Sequence, residues 1–280
     1  MDTLKGYFIS GFIGFMLIVL SYSCYAFFQD MSLWIWLGNA LSYSVGVGYF
    51  AGIYIIATPR TSQNMAVSWG ILLLGTAIVI GGTILTPELW LPLLLNISMI
   101  GGWYLYTYWA TDFSTRDKST LEVGKPMPNI TLKNANGNEV KLDSFFNAPA
   151  IFLFYRGNWC PFCIAQIKEL AKEYQKIQDQ GASLVFISPQ SPRHTNFLAK
   201  KFDIPANFLI DEDLKAAKEL NLFHKHGTPA GMEVLGFEAD NVLPTLIVTD
   251  NQGIIRFADL TDNYRLRPEP SVYLELLEGL

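Results

Sequence analysis

Four long runs without a charged residue fill most of the first 111 residues of this 280-residue chain. Each run is longer than the roughly 20 residues that an α-helix needs to cross the hydrocarbon core of a membrane. The runs cover residues 6–29, 31–59, 61–87 and 89–111. The pattern predicts an all-α region of four transmembrane helices in residues 1–111, joined by short turns, with the lipid bilayer as its partner.

Cys24 lies in the first of these runs. The run is longer than the apolar core of a cleaved signal peptide, and Tyr22 stands where a lipoprotein signal has a small residue. We therefore interpret the run as an ordinary span and Cys24 as a small packing residue inside the helix bundle.

The basic residues near the membrane all lie on one predicted side. Four spans place both termini and the middle loop on the same side. The bases on that side are Lys5, Arg60, Arg116, Lys118 and Lys125. The opposite side has only the acids Asp30 and Glu88. Because basic residues in short loops resist translocation, this bias predicts that the C-terminal part of the chain faces the cytoplasm.

Charged residues become frequent after Asp112. Residues 112–280 hold 18 bases and 22 acids, a net charge of −4. We predict a polar linker at residues 112–124 and a soluble redox domain at residues 125–280. The mild acidity and the lack of a basic patch argue against nucleic acid as a partner.

Strand and helix patterns alternate along the predicted soluble domain. The predicted strands cover residues 130–132, 140–142, 151–155, 184–188, 207–210, 246–249 and 254–258. The predicted helices cover residues 160–180, 191–202, 213–220 and 268–278, and residues 223–241 are irregular. Strands that alternate with helices and end in a hairpin predict an α/β fold with a central mixed sheet flanked by helices.

The segment 151–163, IFLFYRGNWCPFC, carries the strongest chemical signal. An apolar strand ends in the turn Arg156-Gly157-Asn158, and two cysteines in C-x-x-C spacing then begin a helix. The N-terminus of a helix favours a thiolate over a thiol, so Cys160 is the predicted attacking group. The more shielded Cys163 is predicted to displace the product as an intramolecular disulfide.

Three nearby residues are candidates for supporting roles. Trp159 either shields the cysteine pair or packs in the core. Arg156 either stabilises the thiolate or a bound substrate, or lies solvated at the end of a strand. Pro244 precedes a predicted strand, and the sequence leaves open whether its peptide bond is cis or trans.

Two other classes of function compete with a redox enzyme. One is a copper-handling protein that uses the two cysteines together with His224 or His226, although such histidines are more often exposed loop residues. The other is a membrane protein whose redox domain senses and gates the helix bundle. Only one C-x-x-C is present, whereas a structural zinc site needs two further ligands. We therefore expect no metal and no cofactor.

Five motifs resemble one known family. They are 154–163 (FYRGNWCPFC), 187–190 (ISPQ), 243–245 (LPT), 250–256 (DNQGIIR) and 267–270 (RPEP). On these motifs, residues of about 122–280 resemble the peroxiredoxin-like proteins of the alkyl hydroperoxide reductase and thiol-specific antioxidant group, within the thioredoxin superfamily. The resemblance implies a thioredoxin-like fold with Cys160 as nucleophile, Cys163 as resolving thiol and Pro244 as a cis-proline that faces them.

The chain departs from that family at Gly157. Efficient peroxidases of the family have threonine or serine three residues before the reactive cysteine. Glycine at this position favours dithiol–disulfide exchange over fast peroxide reduction. We therefore predict a membrane-tethered thiol–disulfide oxidoreductase and antioxidant protein. Its expected partners are a thiol or disulfide protein, or a small peroxide, and an electron donor that the sequence does not identify.

Overall fold

The computed structural model describes residues 2–29 and 33–280, and the chain forms two compact units. The first unit comprises Met1–Gly6, Thr58–Arg60 and Phe113–Leu280. The second comprises Tyr7–Ala57 and Thr61–Asp112. Asp30, which the charge analysis placed on the outer side of the membrane, lies outside the described residues.

Four α-helices account for most of the uncharged runs. They are α1 (Asp2–Phe28), α2 (Leu33–Ile56), α3 (Ala66–Leu85) and α4 (Leu91–Tyr104). The first three contain stretches long and apolar enough to cross a membrane. Helix α4 has 14 residues and continues as a π-helix, Leu105–Ala110, so α4 alone is shorter than a span requires. Three of the four predicted spans therefore have the length and composition of membrane helices, and the four-span region stays a prediction.

Small and polar residues join α2, α3 and α4. A Cβ atom on Gly38 would lie 2.8 Å from the carbonyl oxygen of Gly75, so these glycines let the backbones of α2 and α3 approach closely. The buried Asn96 side chain donates to Ser42 Oγ over 2.8 Å and accepts from Thr76 Oγ1 over 2.7 Å. The buried amide of Asn96 is thus satisfied by side chains of neighbouring helices.

Cys24 lies on the exposed side of α1, so its interpretation as a packing residue was wrong. The buried stripe of this helix has three- and four-residue spacing and contains Phe12, Met16, Val19, Ser23 and Ala26. Cys24 follows a stripe residue directly, and the 3.6-residue period turns it away from the packed face.

A seven-stranded mixed sheet forms the core of the first unit, as predicted. The strands are β1 (Thr131–Asn134), β2 (Glu139–Lys141), β3 (Ala150–Phe154), β4 (Ser183–Ser188), β5 (Asn207–Ile210), β8 (Thr245–Thr249) and β9 (Ile255–Asp259). Their order is β2-β1-β5-β4-β3-β8-β9, and β6 (Phe223–His224) pairs with β7 (Asn241–Val242) separately. Strands β3, β4 and β5 run parallel, and the other pairs are antiparallel. All residues of the central strands β3 and β8 are buried, which matches their continuous apolar sequences.

Among the described residues, five further α-helices belong to the same unit. They are α5 (Pro161–Lys172), α6 (Tyr174–Asp179), α7 (Pro192–Phe202), α8 (Lys215–Glu219) and α9 (Pro270–Leu277). The single helix predicted at 160–180 is in fact α5 and α6, because Glu173 takes a non-helical conformation between them. The helix predicted at 213–220 begins later, after Asp213 and Leu214 in left-handed conformations. Both carboxylate oxygens of Asp211 accept backbone N–H groups of α8 over 2.8 Å and so cap this short helix.

Candidate active site

The cysteine pair lies at the carboxyl edge of the sheet, where β3 leads into α5. Phe154 ends β3, and Cys160 is the N-cap residue of α5 with an extended backbone (φ −88°, ψ 106°). Pro161 occupies the first helical position, where its missing N–H costs nothing. The strand, turn and helix predicted for residues 151–163 are therefore confirmed, and they place the first sulfur at a helix N-terminus.

The two cysteines are buried neighbours. Cys160 is 2% exposed and Cys163 is 1% exposed, and both are free thiols. A side-chain hydrogen bond runs from Cys163 to the sulfur of Cys160. In this arrangement the Cys160 sulfur can carry a negative charge while the Cys163 thiol donates a hydrogen bond to it.

The electrostatic environment separates the two thiols. Burial raises the pKa of Cys160, but the hydrogen bond from Cys163 and the charge of Arg156 outweigh burial and lower that pKa to about 6. Burial and the neighbouring Cys160 hold the pKa of Cys163 well above its ordinary value. At neutral pH these shifts favour a thiolate on Cys160 and a thiol on Cys163.

Arg156 is a buried part of the site, which removes the alternative of a solvated arginine at a strand end. Its guanidinium lies 4.7 Å from the ring centroid of Trp159 and 5.6 Å from that of Tyr264. One of its N–H groups donates to the carbonyl oxygen of Gly227. Two aromatic faces and a carbonyl thus hold the positive charge beside the Cys160 sulfur.

The turn between strand and helix depends on Gly157. Its φ of +136° lies in a region that residues with a side chain rarely adopt. A Cβ atom here would also lie 3.1 Å from two atoms of the Trp159 ring and 3.4 Å from Gln190 Oε1. The hydroxyl residue that efficient peroxidases carry at this position would therefore strain the turn. Trp159 is 8% exposed and packs against this turn and under Arg156.

Gln190 holds the turn in place from the neighbouring strand. Its side-chain oxygen accepts the backbone N–H of Asn158 over 2.9 Å, and its side-chain nitrogen donates to the Tyr155 hydroxyl over 2.9 Å. The Asn158 side chain donates to the carbonyl oxygen of His194 in α7 over 2.9 Å. Sequence reasoning quoted Gln190 within a family motif but gave it no role, because strand order alone brings it to the turn.

Pro244 lies beside the end of the strand that leads to the cysteines, but its predicted cis peptide bond is wrong. No peptide bond among the described residues is cis. Pro244 is buried and immediately precedes β8, and Thr245 of β8 pairs with Phe154 of β3. The register therefore places Pro244 beside the end of β3, while its peptide bond to Leu243 is an ordinary trans bond.

The histidines do not complete a metal site. Within residues 2–29 and 33–280, no three His, Cys, Asp or Glu side chains are grouped so that they could hold a metal ion. His224 is 6% exposed in β6 rather than a residue of an exposed loop. Burial first, and then the charge of Arg156, lower its pKa to about 3, so its ring is neutral at physiological pH. The copper-handling alternative has no support in this structure.

The part of the chain that holds this site is similar to known proteins. The sequence model of the AhpC/TSA family matches residues 123–258. Chloroplastic peroxiredoxin Q from Populus jackii is 30% identical over 161 residues, which are 56% of this chain and 68% of that protein. Peroxiredoxin Q from Sedum lineare is 30% identical over 160 residues, and the match covers 56% of this chain and 78% of that protein.

More distant relatives match the same part of the chain. A putative peroxiredoxin bcp from Helicobacter pylori is 27% identical over 137 residues, which are 48% of this chain and 85% of that protein. The solved structure of peroxidoxin BcpB from Mycobacterium tuberculosis aligns with 57% of this chain and 98% of its own, at 15% identity and a TM-score of 0.47. Family membership rests on the sequence relatives.

Proposed function

Since the chain belongs to the AhpC/TSA family of peroxiredoxins and is a thiol-dependent oxidoreductase, we propose that Cys160 and Cys163 are its redox pair. The observation that carries this proposal is the position of Cys160 at the N-cap of α5, with a hydrogen bond from Cys163 and the charge of Arg156 beside it. These groups favour a thiolate on one sulfur and a thiol on the other.

The first step is attack by the Cys160 thiolate. With a disulfide substrate, Cys160 bonds to one sulfur and the other leaves as a thiolate. With a hydroperoxide, the thiolate takes the terminal oxygen to become a sulfenic acid, and the O–O bond breaks to give an alcohol or water once the leaving oxygen gains a proton. Arg156 stabilises the negative sulfur before attack.

The second step closes the Cys160–Cys163 disulfide. Cys163 loses its proton and displaces the substrate thiolate from Cys160, or displaces water from the sulfenic acid. An external dithiol or two monothiols then reduce the disulfide and complete the cycle. Because the hydroxyl residue of efficient peroxidases is replaced by Gly157, we propose that disulfide exchange is faster than peroxide reduction in this chain.

Mass mapping of the full chain in detergent tests these roles. In a Cys24→Ser background, one equivalent of a small disulfide is expected to give a Cys160–Cys163 disulfide. The additional substitution Cys163→Ser is expected to leave the substrate bound to Cys160 as a mixed disulfide. A mixed disulfide on Cys163 in the chain with both site cysteines would contradict the assigned order of attack.

We further propose that residues 1–111 anchor the redox domain, residues 125–280, to a membrane through the linker 112–124. Helices α1, α2 and α3 have the length and apolar composition of spans. The continuous helical stretch of α4 and the following π-helix, residues 91–110, would provide the fourth. The positive side of the region then faces the cytoplasm, where reducing buffers would keep the cysteine pair mostly as thiols.

Reporter fusions after Leu280 test this topology. A fluorescent protein is expected to be bright, and alkaline phosphatase is expected to be inactive, because phosphatase needs an oxidising compartment to form its disulfides. A dark fluorescent fusion together with an active phosphatase would place the redox domain outside the cytoplasm and favour a role in disulfide transfer.

A further inference from the structure

Three arginines that sequence analysis did not connect converge at the edge of the sheet that carries the cysteines. Because β3 and β9 both pair antiparallel with β8, their carboxyl ends lie at the same edge. Arg156 follows β3 directly. Arg116 donates to Thr245 Oγ1 over 2.8 Å, and Thr245 pairs with the last residue of β3. The charge of Arg267 acts on the sulfurs of both cysteines.

Arg267 has an unusual environment for a buried guanidinium. Arg267 is only 6% exposed, yet none of its three side-chain nitrogens has a hydrogen-bond partner among the described residues. A buried cation without a hydrogen-bonded counter-charge costs free energy, so an anion that pairs with Arg267 would recover part of that cost. Arg267 belongs to the late 267–270 motif, which the redox mechanism above does not use.

Arg116 repeats this pattern next to Arg267. It is 9% exposed, and its Nε and Nη1 atoms lack partners within the described part of the chain. Burial lowers its pKa to about 10, and the neighbouring charge of Arg267 acts in the same direction. Arg116 and Arg267 are therefore close enough to repel each other, and an anion between them would relieve that repulsion.

The surrounding acids do not neutralise this cluster. Asp259, at the end of β9, is the partly buried carboxylate whose charge acts on both Arg116 and Arg267, and one of its oxygens also lacks a hydrogen bond. Asp262 pairs with Lys118 over 2.8 Å near the surface. The three guanidinium groups thus face one carboxylate and the Cys160 thiolate, which leaves one positive charge in excess.

We propose that Arg267, together with Arg116, forms an anion-binding subsite beside the cysteine pair and that it receives the carboxylate of a small substrate. The planar guanidinium group binds a carboxylate through two parallel hydrogen bonds, which fits a side chain whose donors have no other partner. The burial of the two cysteines restricts the substrate to a small molecule. This inference rests on the proposed attack by Cys160 and adds a substrate class to it.

A binding experiment tests the subsite without turnover. Suberate is a dicarboxylate in which two methylene groups replace the S–S bond of 3,3′-dithiodipropionate. In the Cys24→Ser chain, suberate is expected to slow the alkylation of Cys160 by neutral iodoacetamide at least about threefold, whereas the uncharged 1,8-octanediol has no effect. Equal rates with both compounds would overturn the proposal, even if the chain reduces no disulfide at all.

A kinetic series identifies the source of the carboxylate. The series of disulfides comprises anionic 3,3′-dithiodipropionate, neutral hydroxyethyl disulfide and cationic cystamine. The full chain is expected to have a kcat/KM for the anion that exceeds that for the neutral compound by about tenfold or more. Linoleic acid hydroperoxide and its methyl ester provide the matching hydroperoxide pair. The pair that shows the larger preference for the carboxylate identifies the natural class, and no preference in either pair would contradict the subsite.

Substitutions separate substrate binding from thiolate stabilisation. Arg267→Gln is expected to abolish the preference for the anion while it slows the neutral disulfide much less, and Arg267→Lys retains part of the preference. Arg256→Gln is the matched control, because Arg256 is half-exposed and pairs with Asp250 away from the site. If Arg267→Gln slows all three disulfides equally and raises the alkylation midpoint of Cys160, then Arg267 only stabilises the thiolate and the subsite is wrong. If Cys160→Ser loses disulfide reduction and the unsubstituted chain prefers the anionic disulfide, both the attack by Cys160 and the anion-binding subsite are supported.

Discussion

Two parallel strands of the sheet each lead into a helix at the same edge, and we call these strand-to-helix segments the first and the second connection. The N-cap residues of the two helices differ in chemistry. Strand β3 leads to α5 with Cys160 at the N-cap and Pro161 next, and β4 leads to α7 with Ser191 at the N-cap and Pro192 next. The Ser191 side chain accepts a hydrogen bond from the backbone N–H of His194. Cys160 makes no such side-chain bond to its helix.

The difference shows how the same kind of strand-to-helix connection can contribute either to stability or to chemistry. A serine cap satisfies one of the unpaired N–H groups of the first turn and stabilises a helix by about 1 kcal/mol. At Cys160 the backbone N–H of Cys163 in the first turn acts on the sulfur and lowers its pKa, and the partial positive charge of the helix N-terminus likewise favours the thiolate. Hydrogen bonds of Gln190 and Asn158 join the two connections, so the second connection helps to hold the first in place.

The largest expected effect comes from a serine at the N-cap of the first connection, as in the second. Cys160→Ser is expected to lower disulfide turnover at least about a thousandfold, because a serine hydroxyl is a far weaker nucleophile than a thiolate. The substitution also supplies a stronger cap, so the thermal midpoint should not fall. Turnover and thermal unfolding of the full chain measure both effects, and turnover within tenfold of the unsubstituted chain would show that the two connections do not differ in chemistry.

The turn before the cap should tolerate no side chain. Gly157→Thr is expected to lower the stability of the redox unit by about 1–3 kcal/mol, from the strained φ and from contact with Trp159 and Gln190. Gly124→Thr is the matched control, since Gly124 also has a positive φ (+92°) but open space around it. Chemical unfolding compares the two variants. Equal losses would mean that backbone strain, rather than packing in the site, sets the cost.

The Gly157→Thr substitution is also expected to give no gain in the rate of peroxide reduction. The turn would have to change shape to accommodate the side chain, and the hydrogen bond from Asn158 to Gln190 would be lost with it. Stopped-flow oxidation of Gly157→Thr by hydrogen peroxide measures this. A faster reaction than in the unsubstituted chain would show that the glycine alone limits peroxidase activity.

The second connection is expected to lose stability without its cap. Ser191→Ala removes the side-chain acceptor for the His194 N–H and should cost about 1 kcal/mol. Unfolding in urea, followed by far-ultraviolet circular dichroism, measures the change. No measurable loss would mean that the exposed N–H groups of α7 are satisfied equally well by solvent.

The smallest effect concerns pH. Because the pKa of Cys160 is lowered to about 6, its thiolate is present above that pH and is lost as the pH falls through it. The alkylation rate in the Cys24→Ser background should therefore fall with a midpoint near pH 6. Cys163→Ser and Arg156→Gln should each move the midpoint upward. A midpoint near the ordinary value of about 8.5 would mean that the first connection does not activate its cysteine.

Much of the fold could be predicted from local sequence patterns. The strands 151–155 and 184–188 and the Asn136-Gly137 hairpin were found because apolar periodicity and turn residues act over a few positions. The strand, the turn and the helix around Cys160 were predicted for the same reason, since they are adjacent in the chain. The break at Glu173 was missed, because its apolar spacing continues through both helices.

Sequence by itself determined the apolar helices, the alternation of strands and helices, and a C-x-x-C at a helix start, because each depends on neighbouring residues. Tertiary structure alone decided that Arg156 is buried, that Pro244 is trans, that His224 is neutral and enclosed, and that Cys24 faces outward. It also brought Arg116 and Arg267 together beside the cysteine pair, although 150 positions separate them. Charges that interact through space depend on the strand order and on burial, and neither is encoded in the spacing of any single motif.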